Sequence, residues 1–155
     1  MLTVVADTGA VLSLALSGLF GICQKHFRII IGEKIAEELK DIASFDDELG
    51  DAAKEVLEVI EIKSGGKSFR HGEDEALELL KIAKADLLIS DDIMFVKKQS
   101  RNEKISFSVV LFGILLEKNI ITKRDFLNAV NAMFMKREWE ENLIYLVAKN
   151  ILEED

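Results

Sequence analysis

The chain contains the stretch Leu87-Leu88-Ile89-Ser90-Asp91-Asp92, in which a short apolar run ends on acidic residues. A similar run near the start of the chain, Val4-Val5-Ala6, leads into Asp7-Thr8. If both runs are parallel strands, their carboxylates meet at one edge of a sheet, where open α/β folds place their active sites. Because hard divalent cations take oxygen ligands, this arrangement predicts a metal site.

Apolar strands and helical segments alternate along most of the chain. Strands are predicted at 2–6, 27–31, 59–62, 86–89 and 105–107, and helices at 11–20, 34–42, 46–56, 73–84 and directly after 92. Such alternation is typical of a parallel sheet that is covered on both faces. We therefore expect an α/β fold with the three layers α/β/α and a mostly parallel sheet of four to five strands.

The remainder of the chain is predicted to be helical, at 109–118, 123–136 and 138–152. In the last helix an apolar stripe is formed by residues spaced by four, namely Trp139, Leu143, Val147 and Ile151. Packing on the domain is the preferred use of this stripe, and a homodimer interface is the second. We expect a single domain over residues 1–155, with C-terminal helices at about 122–153 packed on it.

Composition limits the class of protein. The chain has 155 residues, 49% of them hydrophobic, and no proline, which suits one core without a linker. A net charge of −8 argues against a broad basic surface, although not against a local basic rim around an acidic centre. Cys23 is the only cysteine, and His26 and His71 lack zinc-site spacing, so a metal must be held by oxygen. With no secretory signal and no convincing membrane span, we expect a cytoplasmic protein.

Two of the acidic candidates have equally simple structural explanations. Asp7 can hold a metal, or it can cap the helix that follows it, and the sequence leaves both interpretations open. Glu38 stands next to Leu39 on an amphipathic helix, so it points either to the sheet edge or into solvent.

The other acids occur in clusters. Glu75 belongs to Glu73-Asp74-Glu75, whose charges complement the first turn of a helix, although that explains one or two acids better than three. Asp91 and Asp92 are adjacent after an apolar run, where they repel each other unless they are solvated or share a cation. This pair therefore favours a metal site over an ordinary loop.

Together these positions resemble those of PIN domains, metal-dependent nucleases that include the toxin ribonucleases of toxin-antitoxin pairs. The matching residues are Asp7-Thr8 after the first strand, Glu38 before Leu39, Glu75 before Ala76, and Ser90-Asp91-Asp92 with Phe95 three residues on. The segment Gly72-Glu73-Asp74-Glu75-Ala76-Leu77 is similar to a subgroup of archaeal and bacterial PIN proteins known mainly as predicted nucleic-acid-binding proteins. The resemblance covers about residues 2–120 well and the terminal helices loosely.

The resemblance implies a site that binds Mg²⁺ or Mn²⁺ at the carboxyl edge of the sheet. The catalytic acids it implies are Asp7, Glu38, Glu75 and Asp92, with Asp91 as a further metal ligand and Thr8 and Ser90 in support. Asp92 is preferred to Asp91 as the fourth acid because Phe95 stands three residues after Asp92. The implied activity is endonucleolytic hydrolysis of RNA, with an antitoxin-like protein as a partner if the chain is a toxin.

Basic residues flank the acidic positions. Lys67 and Arg70 precede Glu75, and Lys97, Lys98 and Arg101 follow Asp92. These side chains can hold substrate phosphates, which positions a nucleic acid without reading its sequence. A solvated charge run explains each of them about as well.

Other nucleotide-related interpretations fail on spacing. Gly65-Gly66-Lys67-Ser68 lacks the first glycine of a phosphate-binding loop because Glu61 stands there, and Asp7-Thr8-Gly9 offers no glycine triad. Phosphotransfer domains place their acids differently around the first strand. The serious alternative is a non-catalytic PIN-like RNA-binding or scaffold module, against which the acidic character of all four positions counts.

Overall fold

The computed structural model describes residues 1–154, and Asp155 lies outside them. The strands are β1 (Leu2–Ala6), β2 (Phe27–Gly32), β3 (Glu61–Lys63), β4 (Leu87–Ile89) and β5 (Ile105–Ser106). The helices are α1 (Thr8–Ser17), α2 (Phe20–His26), α3 (Glu33–Ala43), α4 (Glu48–Val59), α5 (Gly72–Ile82), α6 (Ile93–Lys98), α7 (Val109–Glu117), α8 (Lys123–Lys136) and α9 (Leu143–Glu154).

The five strands form one sheet in the order β3-β2-β1-β4-β5, and every neighbouring pair is parallel. Val5 of the central strand β1 pairs with Ile30 on one side and with Leu88 on the other. Ala6 pairs with Ile89, so the chain leaves β1 and β4 at the same edge of the sheet. The predicted parallel sheet is confirmed, and the segments after these two strands begin as neighbours.

Alternate residues of the central strands enter two separate apolar cores, because side chains of a strand point alternately to opposite faces. Val4 and Ala6 belong to the larger core, into which α1, α7 and α8 also contribute buried side chains. Val5 belongs to a smaller core on the other face, closed by Leu79 of α5 and Phe95 of α6. The expected three layers, α/β/α, are therefore confirmed.

The first helix differs from the predicted span 11–20 at both ends. It begins at Thr8, because Asp7 Oδ1 accepts a hydrogen bond from the Ala10 N–H at 2.8 Å and caps the helix. It ends before Gly18, whose φ of +84° is the left-handed conformation that glycine adopts at low cost. The prediction missed α2, which follows this break. Among residues 1–154 no single helix is long and apolar enough to cross a membrane; α1 and α2 pass only as a pair, bent by 112°.

Two further boundaries are corrected by the structure. Helix α4 runs to Val59, so β3 begins only at Glu61 and not at the predicted residue 59. The last helix begins at Leu143 and not at 138, which leaves Trp139 in the turn after α8. Most apolar side chains of α9 pack on the larger core, and a Cβ added to Gly113 of α7 would lie 3.0 Å from Ile151. A homodimer remains a prediction.

Candidate functional site

A cavity of about 620 Å³ opens at the carboxyl edge of the sheet. Five acidic side chains contribute to its lining: Asp7, Glu38, Glu73, Asp91 and Asp92. They follow β1, lie within α3, begin α5 and follow β4. Four segments that are distant in sequence thus converge here, because parallel strands end at the same edge of the sheet.

Asp7 both caps α1 and lines the cavity, so the two interpretations of this residue are not exclusive. Its second carboxylate oxygen accepts a hydrogen bond from the Ser90 hydroxyl. Burial raises the pKa of Asp7 to about 7, and the nearby charges of Asp91 and Asp92 add to the shift, while the hydrogen bonds from Ser90 and Ala10 oppose it. A carboxylate in this position is costly unless a proton or a cation accompanies it.

The adjacent aspartates Asp91 and Asp92 have different surroundings. Both oxygens of the buried Asp91 are occupied, one by the N–H of Ser108 at 2.9 Å and the other by its hydroxyl at 2.6 Å. Asp92 caps α6 through one oxygen, which accepts from the N–H of Phe95 at 3.1 Å. Asp91 therefore ties the loop to the start of α7, whereas Asp92 uses one oxygen for the cap and lies beside Glu73.

Two more carboxylates complete the acidic lining. Glu38 accepts a hydrogen bond from the Thr8 hydroxyl, which fixes its orientation relative to the end of β1. Glu73 lies beside Asp92, and its pKa is raised by desolvation and by the hydrogen bond and charge of Asp92. A bound cation relieves the repulsion between the two carboxylates of Glu73 and Asp92.

The structure does not bring Glu75 into the cavity lining. Its side chain is buried, with 2% exposure, and its Oε1 accepts a hydrogen bond from the Lys34 N–H at 2.8 Å. Gly32 provides no side-chain cap for α3, so Glu75 serves as the acceptor at the start of that helix. Residues 73 and 75 differ in direction because they lie two positions apart on a helix. Glu73, which sequence reasoning did not select, is the α5 acid that reaches the cavity.

The predicted phosphate-binding residues lie outside this lining. Lys98 and Arg101 border a second depression formed by residues 98–104. Lys67 lies near Phe69, with its Nζ 5.3 Å from the ring centroid, and Arg70 is exposed next to His71. Lys97 is exposed on α6. None of the five contributes to the cavity itself.

Sequence reasoning also missed two lining residues from the C-terminal part of the chain, Arg137 and Trp139. Arg137 Nη1 donates to the Gly9 carbonyl at 2.6 Å and to the Ser13 hydroxyl at 2.8 Å. Burial lowers the pKa of Arg137, against the raising effect of Asp91 and Asp7. No local pattern around residue 137 identifies it, because its partners are more than 120 positions away in the chain.

The cavity lining offers donors of the kind that a divalent cation needs. Carboxylate oxygens of Asp7, Glu38, Glu73 and Asp92 are the donors that Mg²⁺ and Mn²⁺ prefer, and no thiol competes in the lining. Within residues 1–154, however, no group of three or more Asp, Glu, His or Cys side chains stands ready to hold a metal ion. The donor type fits a hard cation, while a closed set of ligands is not formed.

These features define a class of protein: a three-layer α/β fold with an acidic cavity at the carboxyl edge of a parallel sheet. The family model DUF3368, described as a PIN domain, matches residues 3–153, and the chain belongs to the PIN domain family. PIN domains are generally nucleases and typically use divalent metals, and the family suggests nucleic-acid binding. No curated protein matches the chain.

Proposed function

We propose that this chain is a divalent-metal-dependent endoribonuclease that hydrolyses RNA phosphodiester bonds in the cytoplasm. The proposal is carried by the convergence of Asp7, Glu38, Glu73 and Asp92 on one cavity in a PIN domain. Each acid alone has a structural explanation, but helix caps do not need to share a cavity. Their common position supports a shared ligand.

In this proposal the four acids hold Mg²⁺ or Mn²⁺. Glu73 takes the role that the sequence suggested for Glu75, because Glu75 is engaged by the backbone of α3. Asp91 holds the loop after β4 and supports its neighbour Asp92. When bound, a divalent ion supplies activation of water and neutralisation of charge on the phosphate.

Thr8 and Ser90 act as positioning residues. The Ser90 hydroxyl donates to Asp7 and the Thr8 hydroxyl donates to Glu38. A carboxylate oxygen has two lone pairs, so these bonds fix the orientation of each carboxylate without exhausting its capacity as an acceptor. Orientation fixed before binding lowers the entropy that is lost when a ligand is gripped.

RNA outside the cavity is proposed to contact the basic residues predicted from the sequence. Lys98 and Arg101 line the depression of about 590 Å³, with Lys97 on the helix before it. Lys67 and Arg70 lie in the segment that leads to His71 of the cavity lining. Such phosphate contacts add affinity that does not depend on base sequence.

The nuclease proposal is tested with Asp7→Asn. Asparagine is also a good helix cap, so α1 should persist while RNA cleavage in Mn²⁺ or Mg²⁺ falls about a hundredfold or more. Chelation of the metal should abolish cleavage by the wild type. The assay follows hydrolysis of single-stranded and structured RNA by purified protein.

The matched control is Asp47→Asn. Asp47 caps α4 in the same way, accepting from the Gly50 N–H at 2.7 Å, but it does not line the cavity. This variant should retain full activity. Cleavage that survives both Asp7→Asn and the chelator contradicts the proposed mechanism.

A non-catalytic RNA-binding or scaffold module is the second candidate. It is favoured by the lack, within residues 1–154, of a closed set of metal ligands. RNA binding that is unaffected by Mn²⁺, without cleavage under any metal condition, would establish this alternative.

The toxin role is a narrower proposal about the same enzyme. It predicts that expression of the wild type arrests cell growth, that Asp7→Asn does not, and that a small antitoxin-like protein encoded beside it relieves the arrest. Normal growth with an active wild-type nuclease would refute the toxin role alone.

A further inference from the structure

Among residues 1–154, Arg137 is the only arginine or lysine in the cavity lining. It occupies the C-cap of α8, far in sequence from all four segments that supply the acids.

The turn after α8 fixes the position of Arg137. Glu138 has a φ of +54°, and its N–H donates to Met135 O while the N–H of Trp139 donates to Phe134 O. These bonds and the contact of the Phe134 and Trp139 rings, 5.3 Å apart, form a Schellman turn. The turn returns Trp139 to the guanidinium, whose carbon lies 4.4 Å from the centre of the Trp139 ring.

The guanidinium is also anchored at one end. Arg137 Nη1 donates to Gly9 O and to Ser13 Oγ, both on α1. A planar guanidinium held by a ring and two acceptors keeps one orientation, so little further entropy is lost when it binds an anion.

The guanidinium forms no ion pair within the described part of the chain, although the charges of Asp91 and Asp7 act on it. The ion pairs found there are Arg28 with Glu61, Lys34 with Glu37 and Lys54 with Asp51. Buried side-chain nitrogen or oxygen without a partner occurs, over the same residues, only at Gln24. Arg137 Nε and Nη2 are therefore not sealed inside the protein, and Arg137 belongs to the cavity lining.

We propose that Arg137 binds the non-bridging oxygens of the phosphodiester that enters the acidic cavity, and that Trp139 holds the guanidinium plane for this contact. The inference rests on the proposed nuclease function and names single-stranded RNA as the ligand. Five carboxylates alone repel a phosphate, whereas a bidentate guanidinium matches the geometry of its oxygens. Arg137 thus supplies from the protein an attraction that the acids cannot provide.

The test measures RNA affinity separately from cleavage. A short single-stranded RNA with a fluorescent label is titrated in chelator against Asp92→Asn protein, which lacks one cavity carboxylate and keeps an asparagine cap on α6. Adding Arg137→Gln should weaken binding about tenfold and reduce the slope of log affinity against log salt by roughly 0.7. Arg137→Lys, which keeps the charge without the fork, should recover part of the affinity and most of the salt slope. Trp139, the only tryptophan of the chain, provides a fluorescence signal beside the proposed contact.

Arg124→Gln is the matched control, because Arg124 is an exposed arginine on the same helix and lies outside the cavity lining. It should leave the affinity and the salt slope unchanged. Circular dichroism and thermal melting check that every variant is folded.

The outcomes distinguish failure of the role of Arg137 from failure of the nuclease proposal. RNA cleavage by the wild type together with unchanged binding in folded Arg137→Gln overturns the role of Arg137 and leaves the nuclease standing. Failure of the wild type to bind or cleave RNA under any metal condition overturns both. Unfolding of both Arg137 variants identifies Arg137 as a clamp between α8 and α1 and also overturns the inference.

Discussion

At the scale of single residues, Glu75 shows how an acid in a site-like segment can serve the fold. Its Oε1 accepts from the Lys34 N–H, and this contact requires a glycine at position 32. A Cβ at Gly32 would overlap the carboxylate of Glu75. The glycine is needed here for space, since its φ of −81° is open to any residue.

Gly32→Ala is therefore expected to lower the free energy of unfolding by about 1–3 kcal/mol, because the new methyl group displaces a buried carboxylate from the end of α3. Chemical denaturation measures the change. Gly21→Ala is the control: an added Cβ there meets nothing within 4 Å, and alanine favours the helix. Equal stability of Gly32→Ala and wild type would show that Glu75 is not fixed in place.

Variants of Glu75 distinguish a role in capping α3 from a role in metal binding. Glu75→Gln keeps an acceptor for the Lys34 N–H but removes the charge. If Glu73 is the metal-binding acid of α5, stabilisation by Mn²⁺ should persist in Glu75→Gln and weaken in Glu73→Gln. The reverse result would support the ligand role that the sequence suggested for Glu75.

At the scale of elements, several helices end without the glycine that usually marks such a point. Lys84, Asn119 and Glu138 have φ values of +49°, +59° and +54° directly after the C-caps of α5, α7 and α8. A left-handed conformation costs a residue with a Cβ about 1–2 kcal/mol, so packing must compensate for it. For α8 the compensation includes the contact of Phe134 with Trp139.

Substitution at Glu138 tests the turn that presents Arg137 and Trp139. Glu138→Gly should leave the melting temperature unchanged or slightly higher, whereas Glu138→Val should destabilise the protein by about 1–2 kcal/mol, because a β-branched side chain disfavours positive φ. Glu140→Val, at an exposed position outside the helices, controls for the change of surface charge and should have little effect. A destabilising Glu138→Gly would contradict this account of the turn.

At the scale of the whole molecule, the acidic cavity links metal binding, pH and stability. The pKa of Asp7 is raised from 3.8 to about 7, chiefly by burial. In metal-free protein the stability contributed by protonated Asp7 is therefore complete below about pH 3.8 and is lost as the pH rises through about 7. A cation that binds the ionised carboxylate competes with this proton.

We expect Mn²⁺ to raise the melting temperature, and to do so more at pH 8 than at pH 6, where Asp7 retains its proton. At a hundred times the dissociation constant the stabilisation is about 2.7 kcal/mol. Differential scanning fluorimetry measures the shift. Asp7→Asn and Asp92→Asn should reduce it, while Asp47→Asn should not. An equal shift in all four proteins would place the bound Mn²⁺ outside the cavity.

The order of strands and helices could be predicted from the sequence because local patterns encode it. Apolar runs such as 2–6 and 27–31 suit buried strands, and the second of these runs is followed by an amphipathic helix. Errors occurred where the pattern is uniform, as in the apolar segment that contains α1 and α2. The start of α9 was misplaced because Trp139 continues the apolar spacing of the helix without belonging to it.

By itself, the sequence determined the parallel α/β layers, the family, and the acids that directly follow β1 and β4. These features depend on residues that are close in the chain. Only the tertiary structure decided that Glu73 and not Glu75 reaches the cavity, and that Arg137 and Trp139 enter it from the end of α8. Side-chain direction and contacts over more than 120 residues depend on packing, which no local pattern specifies.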